Sequence, residues 1–453
     1  MKKIVIIGGD AAGMSAASKI RRLEPDSELV VFEKGAYISF AACGIPYWIS
    51  GVVDDGSKLQ VLTPQLAREN RGIDVRTRHE VLEISRKSKR LSVKNHDTGE
   101  VFQESYDSLL IATGARAQQP PFPGLNLPGV FTLRNLTDGF RIKEYIEKQK
   151  IKHATIIGGG YIGLEMAEAF RQLNLDVSLI EMLDQIAPTF DKDMMGLIQE
   201  HLVENEVDLK LNTRVQAIEK TSGTLQVKTS EGDVSTDMVI VSTGVRPNSE
   251  LAQAAGLRLG KSGAISVNEH MQSSDSDIYA AGDCAEHVHL VSRESVWIPL
   301  ATSANKGGKV AAENLAGKSA VFPGVLGTAV VKVFEYTIAQ TGLNEVQAQK
   351  WAGKEAIETV TIKAGSRSPY FPGSEPITVK LIVDKSSRRL LGSEMVGKSD
   401  VAKRIDVLAT AITAGMTVEN IAMLDLSYAP PFAPVYDPIL VAANVASREG
   451  IVS

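Results

Sequence analysis

The sequence contains only two cysteines, Cys43 and Cys284, among its 453 residues. Two thiols so far apart in the chain argue against a disulfide framework and fit a reducing, cytoplasmic compartment. No apolar run is long enough to span a bilayer. Neither sign of charge dominates, because the chain has 49 basic and 54 acidic residues and therefore a formal net charge of −5. We therefore expect a cytoplasmic protein that binds neither nucleic acid nor membranes.

The length of the chain exceeds the roughly 250–300 residues at which a single hydrophobic core stops growing. Two or three domains are therefore expected. The hydrophobic content of 43% and the charged content of 23% are those of an ordinary globular protein. The local motifs must then indicate what each domain does.

The first motif is the stretch KIVIIGGDAAG, which is followed by helical spacing and by the strand-like ELVVFEKG. Strand, glycine turn, helix, strand and acid form the dinucleotide-binding layout. Gly8 permits the tight turn, Gly13 lets the helix pack closely, and Glu33 can accept hydrogen bonds from a ribose. Asp10 replaces the usual middle glycine, and its carboxylate would repel a pyrophosphate unless it points away. A structural turn without a phosphate remains the alternative.

The layout repeats in HATIIGGGYIGLEMAEAFRQLNLDVSLIEML, where all three glycines are present at Gly158, Gly160 and Gly163. The acid at the end of the second strand is Glu181. A carboxylate there would bind the adenosine 2′-hydroxyl and repel a 2′-phosphate. Because no arginine follows Glu181 immediately, the sequence predicts NADH in preference to NADPH.

Two further stretches, YDSLLIATGARA and TDMVIVSTGVRPN, each run from an apolar strand into Thr-Gly and a basic residue. A third, SDIYAAGDCAE, is a strand that ends in Gly-Asp, where Asp283 can accept a hydrogen bond from a flavin ribityl hydroxyl. Two dinucleotide sites, one of which closes in Gly-Asp, predict FAD together with a nicotinamide cofactor. The predicted fold class is α/β, with two Rossmann-like domains and a C-terminal α+β domain.

The domain boundaries follow from the positions of these motifs. We predict an FAD-binding domain at 1–149 and 245–322, in which a proline-rich connector and a helix occupy 113–149. The NAD(P)H-binding domain would be 150–244. From 323 to 453 the stretches GTAVVKVFEYTIAQTGL and PITVKLIVDKSSRRLLGSEMVG predict alternating strands of the C-terminal domain.

Together these segments resemble, from end to end, the pyridine nucleotide–disulfide oxidoreductases. Most disulfide reductases of that superfamily carry a Cys-x4-Cys pair, but position 48 here is Trp48. The stretch SFAACGIPYW is instead similar to the single-cysteine branch. That branch comprises coenzyme A-disulfide reductases, NADH-dependent persulfide or polysulfide reductases, and NADH oxidases and peroxidases. In this superfamily the C-terminal domain dimerises, so the resemblance implies a homodimer.

The resemblance makes Cys43 the redox-active thiol, facing the flavin. A thiolate opens a disulfide and leaves a mixed disulfide, which a serine cannot match near neutral pH. The reductases would cycle through a Cys43–CoA mixed disulfide, and the oxidases through a sulfenic acid. A nearby helix terminus is expected to depress the pKa of Cys43. The alternative is a buried inert cysteine, and that is the role we expect for Cys284.

Three features separate the members of this branch. The water-forming oxidases resemble one another in a histidine at the position of Asp10, which this sequence lacks. The Pro-Tyr of CGIPYW is similar to the CoA-disulfide and persulfide reductases. In SRSPYFPGS and LSYAPPFAPVYDP, Tyr370 and Tyr428 match tyrosines that would donate protons to the leaving thiolate in the partner subunit's active site. Phe371 departs from a frequent tyrosine pair, and packing at a dimer interface is the alternative for both tyrosines.

The resemblance also implies the cofactor contacts. Tyr161 is the aromatic lid over the flavin, Glu165 contacts the nicotinamide side, and Arg22 binds coenzyme A, although a cation at a helix end commonly only complements the dipole. No metal site is expected. The FAD contacts are Gly8, Gly13, Glu33, Lys34, Ser39, Thr113, Gly114, Asp283 and Ala301; the NADH contacts are Gly158, Gly160, Tyr161, Ile162, Gly163, Glu165, Glu181 and Gly244.

The sequence therefore predicts an FAD-dependent NAD(P)H oxidoreductase that reduces CoA disulfide, CoA or other persulfides, or polysulfide through Cys43. The first alternative is an NADH oxidase or peroxidase that cycles through a cysteine sulfenic acid. The second is a flavin-binding electron carrier or signalling protein in which Cys43 is a bystander. Such a protein would not need the ACGIPY stretch around Cys43 together with the YAPPF stretch that begins at Tyr428.

Overall fold

The computed structural model describes residues 2–221 and 223–449, so the last residues of the predicted C-terminal domain lie outside the described residues. In its first 149 residues short strands alternate with helices. Two 3-10 turns, Ala42–Gly44 and Gly56–Leu59, flank the second helix. The strands are β1 (Lys3–Ile7), β2 (Glu28–Glu33), β3 (Asp74–Thr77), β4 (His79–Ser85), β5 (Arg90–Asn95), β6 (Val101–Ser105), β7 (Ser108–Ile111), β8 (Ala115–Ala117) and β9 (Val130–Phe131), and the helices are α1 (Ala11–Leu23), α2 (Ile45–Ile49), α3 (Pro64–Arg71) and α4 (Leu136–Gln149).

The middle of the chain repeats this alternation and then returns to the first region. Its strands are β10 (His153–Ile157), β11 (Asp176–Ile180), β12 (Val207–Lys210), β13 (Val215–Thr221), β14 (Thr224–Thr229), β15 (Val234–Thr236), β16 (Met238–Val241), β17 (Val245–Pro247), β18 (Ile278–Ala280), β19 (His287–Val288) and β20 (Ser295–Val296). Its helices are α5 (Tyr161–Gln172), α6 (Lys192–Glu204), α7 (Glu250–Ala254) and α8 (Ala301–Leu315).

The C-terminal region is built differently, from long strands followed by helices. A 3-10 turn, Lys354–Ala356, precedes its third strand. The strands are β21 (Ala329–Val333), β22 (Tyr336–Gly342), β23 (Ile357–Gly365), β24 (Pro376–Asp384) and β25 (Leu390–Gly397), and the helices are α9 (Glu345–Ala352), α10 (Val401–Thr413), α11 (Val418–Ala422) and α12 (Pro438–Glu449).

Two five-stranded parallel sheets have the same arrangement. The first has the order β18-β7-β1-β2-β3, and the second the order β9-β16-β10-β11-β12. In each sheet the strand before the glycine turn is central. It pairs in parallel with β2, which ends at Glu33, or with β11, which Glu181 follows directly. Residues Ile4–Ile7 and Ala154–Ile157 are buried throughout, as expected for parallel strands that are covered on both faces. The predicted pair of Rossmann-like folds is confirmed.

The C-terminal region forms one antiparallel sheet of order β21-β22-β25-β24-β23. Helices α10 and α12 pack against it and bury a core that includes Val379, Leu381, Leu408 and Ala442. The predicted α+β architecture is therefore confirmed, while the residue boundaries of the three domains stay predictions.

Helix α2, which follows the Cys43 segment, is held firmly between the two dinucleotide folds. It is only five residues long, yet Ile45, Trp48 and Ile49 are all buried in a core cluster that continues into α5 and on to β21 and β22. A side chain on Gly139 of α4 would collide with Ile45, so α4 and α2 pack very closely. This packing fixes the position of the residues just before α2. Among residues 2–221 and 223–449, no helix combines the length and the apolar character needed to cross a membrane.

Candidate active site

The first glycine turn lies between β1 and α1, and two of its glycines allow close backbone contacts. Gly8 has a φ of +108°, and a side chain there would collide with the carbonyl oxygen of Ala112. A side chain on Gly13 would in turn collide with the carbonyl oxygen of Gly8. Because α1 can approach so closely, its amino terminus lies at the end of the sheet, where helix N–H groups can bind a phosphate.

The two acidic residues that end the second strands are held in the same way. Glu33 accepts a hydrogen bond from the backbone N–H of Gly9 at 2.7 Å and from the N–H two residues after itself at 2.6 Å. Glu181 accepts one from Gly159 at 2.8 Å and one from the N–H two residues after itself at 2.9 Å. Each carboxylate oxygen keeps a lone pair with which to accept a ribose hydroxyl.

The space beside these turns also suits a dinucleotide. A side chain on Gly163 would collide with the carbonyl oxygen of Gly158, which is the same close approach as in the first turn. By contrast, a Cβ atom on Gly160, Gly114 or Gly244 would meet no other atom within 4 Å. Close packing beneath the turns and open space above them fit two bound dinucleotides.

The loops that close the first site are tied together across the chain. The Thr113 hydroxyl donates to the carbonyl oxygen of Asn248 at 2.6 Å, and the Asn248 amide donates to the carbonyl oxygen of Thr113 at 2.8 Å. Ala301 is the first residue of α8. Lys34, a predicted FAD contact, has an exposed ammonium that pairs with Glu80 at 2.5 Å.

Arg134 is a residue of this site that sequence reasoning missed. Its guanidinium pairs with the predicted flavin contact Asp283 at 2.6 Å and donates to the carbonyl oxygen of Ala115 at 3.0 Å. A single arginine at the end of the connector before α4 carries no local motif, so only the folded chain brings it to Asp283.

Cys43 lies in the 3-10 turn that precedes α2, and its side chain is exposed. Cys284 is fully buried, and its thiol lies 3.4 Å from the carbonyl oxygens of Ile111 and Ala281. The structure therefore presents one thiol to solvent and encloses the other. This contrast agrees with the different roles predicted for the two cysteines.

The expectation that a helix terminus depresses the pKa of Cys43 is wrong for the chain by itself. The surrounding protein raises the pKa of the thiol, first by desolvation, although its surface remains accessible, and then by the negative charge of Glu165. Arg134 acts in the opposite direction but is outweighed. The helix that follows is only one turn long, and the full stabilisation of a thiolate needs a stronger positive field.

Two carboxyl groups near Cys43 hold their protons to unusually high pH. Burial, and then the charge of Glu168, raise the pKa of Glu165 to about 7. Burial raises the pKa of Asp10 to about 6, while the N–H of Phe40 lowers it by donating a hydrogen bond at 3.3 Å. The Asp10 carboxylate therefore points toward the segment that carries Cys43, and this orientation is compatible with a pyrophosphate at the first glycine turn.

The two tyrosines predicted from separate C-terminal stretches meet in the structure. Their hydroxyl oxygens lie 3.5 Å apart, and both side chains are exposed, Tyr370 by 73% and Tyr428 by 47%. The bond to Tyr428 raises the pKa of Tyr370, so its hydroxyl stays protonated at neutral pH. Phe371 is half-buried and supplies no hydroxyl. Among the hydrogen bonds of the described residues, none joins either tyrosine to the Cys43 segment of the same chain.

Arg22 lines a cavity of about 200 Å³ between α1, α3 and α8. Arg71 and Lys309 line it as well, so that three cations surround it and no carboxylate does. None of the three makes a salt bridge with any residue in 2–221 or 223–449. Ser39, four residues before Cys43, also lines the cavity. The cavity is thus an unneutralised cationic site next to the Cys43 segment.

Ser18 positions both guanidinium groups of this cavity. Its carbonyl oxygen accepts from Arg22 at 3.1 Å, and its hydroxyl accepts from Arg71 at 2.7 Å. Sequence reasoning found Arg22 but missed Arg71 and Lys309. Both are isolated cations at the surface of helices far apart in the sequence, so no spacing connects them with Arg22.

Two dinucleotide folds in one chain, with an exposed thiol just before a helix packed between them, define a dinucleotide-dependent oxidoreductase. The family model described as pyridine nucleotide-disulphide oxidoreductase matches residues 2–308, and the one described as its dimerisation domain matches residues 328–438. The chain belongs to the pyridine nucleotide-disulphide oxidoreductase family.

The curated relatives and solved structures are similar over nearly the whole chain. An NAD(P)H coenzyme A polysulfide/persulfide reductase of Pyrococcus horikoshii is 44% identical over 98% of both chains. An NADH oxidase of Methanocaldococcus jannaschii is 37% identical over 99% of both. The crystal structure of reduced Bacillus anthracis CoADR-RHD has a TM-score of 0.96 and 40% identity, and it covers 99% of this chain and 81% of that one.

Proposed function

We propose that this protein is an FAD-dependent NADH oxidoreductase that reduces CoA disulfide and CoA persulfides through Cys43. The family accounts for the flavin and the pyridine nucleotide, and the names of the relatives support a coenzyme A substrate. The observation that carries the choice of substrate is the cationic cavity of Arg22, Arg71 and Lys309.

The charge of this cavity suits coenzyme A better than a small disulfide. Coenzyme A carries a 3′-phosphate and a diphosphate, and guanidinium groups bind such oxyanions through charge-assisted hydrogen bonds. Arg22 and Arg71 are fixed by Ser18, and no carboxylate in the described part of the chain forms a salt bridge with either of them. We propose that this cavity holds the phosphates while the thiol end of the substrate extends past Ser39 to Cys43.

Cys43 is the proposed nucleophile. Its thiolate attacks one sulfur of CoA disulfide, so that a Cys43–CoA mixed disulfide forms and one CoA thiolate leaves. Two electrons from NADH then cleave the mixed disulfide, which regenerates the Cys43 thiolate and releases the second CoA thiolate. Two protons, one of them from NADH, complete the two thiols.

Glu165 is the nearby group whose charge opposes formation of the thiolate. With a pKa of about 7, its carboxyl is partly neutral at working pH, and the neutral form permits the thiolate to form. We therefore propose that Glu165 sets the pH range over which Cys43 is reactive.

Tyr428 and Tyr370 are proposed to serve the active site of the partner subunit in a homodimer. Their hydroxyls are exposed and paired, and the C-terminal region matches a dimerisation-domain family. A phenol hydroxyl can donate a proton or a hydrogen bond to the departing CoA thiolate. Tyr428 acts alone as donor because Phe371 occupies the position after Tyr370.

The proposed cofactor sites follow the two glycine turns. Glu33, Thr113, Asp283 and Arg134 would hold the flavin, and Glu181 would select NADH because its carboxylate repels a 2′-phosphate. When bound, the flavin and the nicotinamide supply the hydride and electron-transfer chemistry. The residues around the two glycine turns would orient both cofactors.

The test compares CoA disulfide with pantethine, which contains the same disulfide but lacks the phosphates. With purified holoenzyme under anaerobic conditions, NADH consumption should be much more efficient with CoA disulfide, through a lower KM. Equal kcat/KM for the two substrates would contradict the coenzyme A assignment. NADH consumption only in the presence of oxygen would instead support an oxidase that cycles through a Cys43 sulfenic acid.

A further inference from the structure

Tyr161 occupies a critical position at the second glycine turn. It is the first residue of α5 and directly follows Gly160, above which the space is open. The resemblance makes Tyr161 the aromatic lid over the flavin, so a nicotinamide that reaches the flavin has to displace its ring. The proposed function therefore requires the ring to move each time NADH enters, and whatever holds the ring controls that movement.

Two side chains hold the Tyr161 hydroxyl. Its oxygen lies 3.1 Å from the hydroxyl oxygen of Thr189, and the side-chain amide of Gln340 donates a hydrogen bond to it at 2.9 Å. Thr189 belongs to the loop between β11 and α6, whereas Gln340 lies on β22 of the C-terminal sheet. The ring is thus bound on one side by its own domain and on the other by the C-terminal region.

The C-terminal sheet also fixes the loop that carries Thr189. The Asn344 amide donates to the carbonyl oxygen of Thr189 at 3.0 Å. Glu394, which pairs with Gln340 across β22 and β25, accepts the backbone N–H of Asp191 at 3.0 and 3.1 Å. Since the loop and Gln340 are anchored to the same sheet, the two partners of the Tyr161 hydroxyl keep a constant spacing.

We propose that Gln340 and Thr189 form a latch that holds Tyr161 in its closed position, so that the C-terminal region sets the affinity for NADH. Gln340 is a positioning residue, because it acts through Tyr161 and does not touch the reacting atoms. The inference rests on the proposed function in that it takes Tyr161 to move when NADH binds. If only a fraction of the protein is open, the apparent Kd for NADH equals the Kd of the open form divided by that fraction.

The test is a cycle of variants in the holoenzyme: Gln340→Met, Thr189→Val, Tyr161→Phe and the double variant Tyr161→Phe/Gln340→Met. Gln340→Met and Thr189→Val keep the approximate volume and each remove one partner of the latch, whereas Tyr161→Phe removes the hydroxyl that both partners hold. A neutral hydrogen bond stabilises the closed position of Tyr161 by about 1 kcal/mol. The loss of one should therefore lower the apparent Kd for NADH about threefold to tenfold. The Kd is measured by anaerobic stopped-flow reduction of the flavin by NADH, with no disulfide present.

The matched control is Thr341→Val, the next residue on β22, whose hydroxyl lies 2.7 Å from that of Thr328 and forms no hydrogen bond with Tyr161 among the described residues. It should leave the Kd unchanged. The proposal is supported if Gln340→Met tightens NADH binding and adds nothing in the Tyr161→Phe background. An unchanged or weaker affinity, or an effect of equal size without the Tyr161 hydroxyl, overturns it. A parent protein whose flavin NADH does not reduce would contradict the proposed function instead.

Discussion

The hydroxyl oxygens of Tyr370 and Tyr428 lie 3.5 Å apart, although 58 residues separate the two tyrosines. Tyr370 follows the end of β23, and Tyr428 precedes α12, so the C-terminal fold brings together two stretches with no local connection. Both rings are exposed, and so are Phe432, Val435 and Tyr436 in the segment that follows Tyr428. Exposed apolar side chains are typical of interaction surfaces when they are contiguous, and we propose that the partner subunit covers these.

The first prediction concerns this pair. Replacing Tyr428 by Phe should lower kcat for CoA disulfide about 100-fold, because a general acid contributes at least that much. Tyr370→Phe should have a smaller effect, since it removes only the hydrogen bond to Tyr428. Reduction of the flavin by NADH alone should not change. Tyr436→Phe, in the same exposed segment, is the control, and unaltered turnover in Tyr428→Phe would refute the assigned role.

The second prediction concerns the cationic cavity. Arg71→Gln and Lys309→Gln should each raise KM for CoA disulfide about tenfold, because each removes a charge-assisted contact to a phosphate. The KM for pantethine should stay the same. Lys19→Gln is the control, since Lys19 lies on α1, as Arg22 does, but is already neutralised by Glu313 at 2.6 Å. A rise in KM for both substrates would mean that the cavity does not bind the phosphates.

Much of this architecture could be predicted because its causes are local. Gly8, Gly13 and Gly163 are required by close backbone contacts within one turn, and Glu33 and Glu181 end the adjacent strands. The resemblance also pointed to Cys43 and the two tyrosines, whose roles stay predictions. The two folds and the C-terminal sheet followed from the same patterns.

The remaining features depend on distant parts of the chain. Arg134 meets Asp283, and Arg71 meets Ser18, only after folding. The direction of the pKa shift of Cys43 was wrong because desolvation and the charge on Glu165 arise from packing of α2 against α5. A short sequence motif contains no information about the charge of a residue that lies far away in the chain, such as Glu165.

The third prediction follows from the effect of the Glu165 charge on Cys43. Because the charge of Glu165 raises the pKa of Cys43, Glu165→Gln should lower this pKa and increase the rate of alkylation near neutral pH. The measurement is the rate of iodoacetamide modification of the reduced holoenzyme as a function of pH, monitored by mass. Thiolate formation should begin at lower pH in the variant. An unchanged or higher midpoint would show that Glu165 exerts no field on Cys43.

The fourth prediction concerns stability and Glu394. Burial, and then the charge of Asp191, raise the pKa of Glu394 to about 8, while Lys380 opposes this shift. The folded chain therefore keeps a proton that the unfolded chain loses near its ordinary pKa of about 4.3. The contribution of Glu394 to the free energy of unfolding should fall as the pH rises from about 4.3 to about 8. Over this range the unfolded state binds fewer protons than the folded state.

Glu394→Gln should flatten the decline of Tm measured between about pH 6 and pH 8.5. Glu419→Gln is the control, because the pKa of Glu419 is lowered and its carboxyl does not titrate in that range. The same slope in parent and Glu394→Gln would rule out a proton on Glu394.

The account depends most on Cys43 as the nucleophile, and intact mass measures this directly. Reduced holoenzyme is mixed anaerobically with CoA disulfide in the absence of NADH and is then denatured without reductant. The intact mass of the chain is measured by mass spectrometry. We predict one CoA adduct per chain, one CoA thiol released, removal of the adduct by dithiothreitol, and its loss in Cys43→Ser but not in Cys284→Ser. An adduct that persists in Cys43→Ser, or an unmodified parent chain, would contradict the central claim.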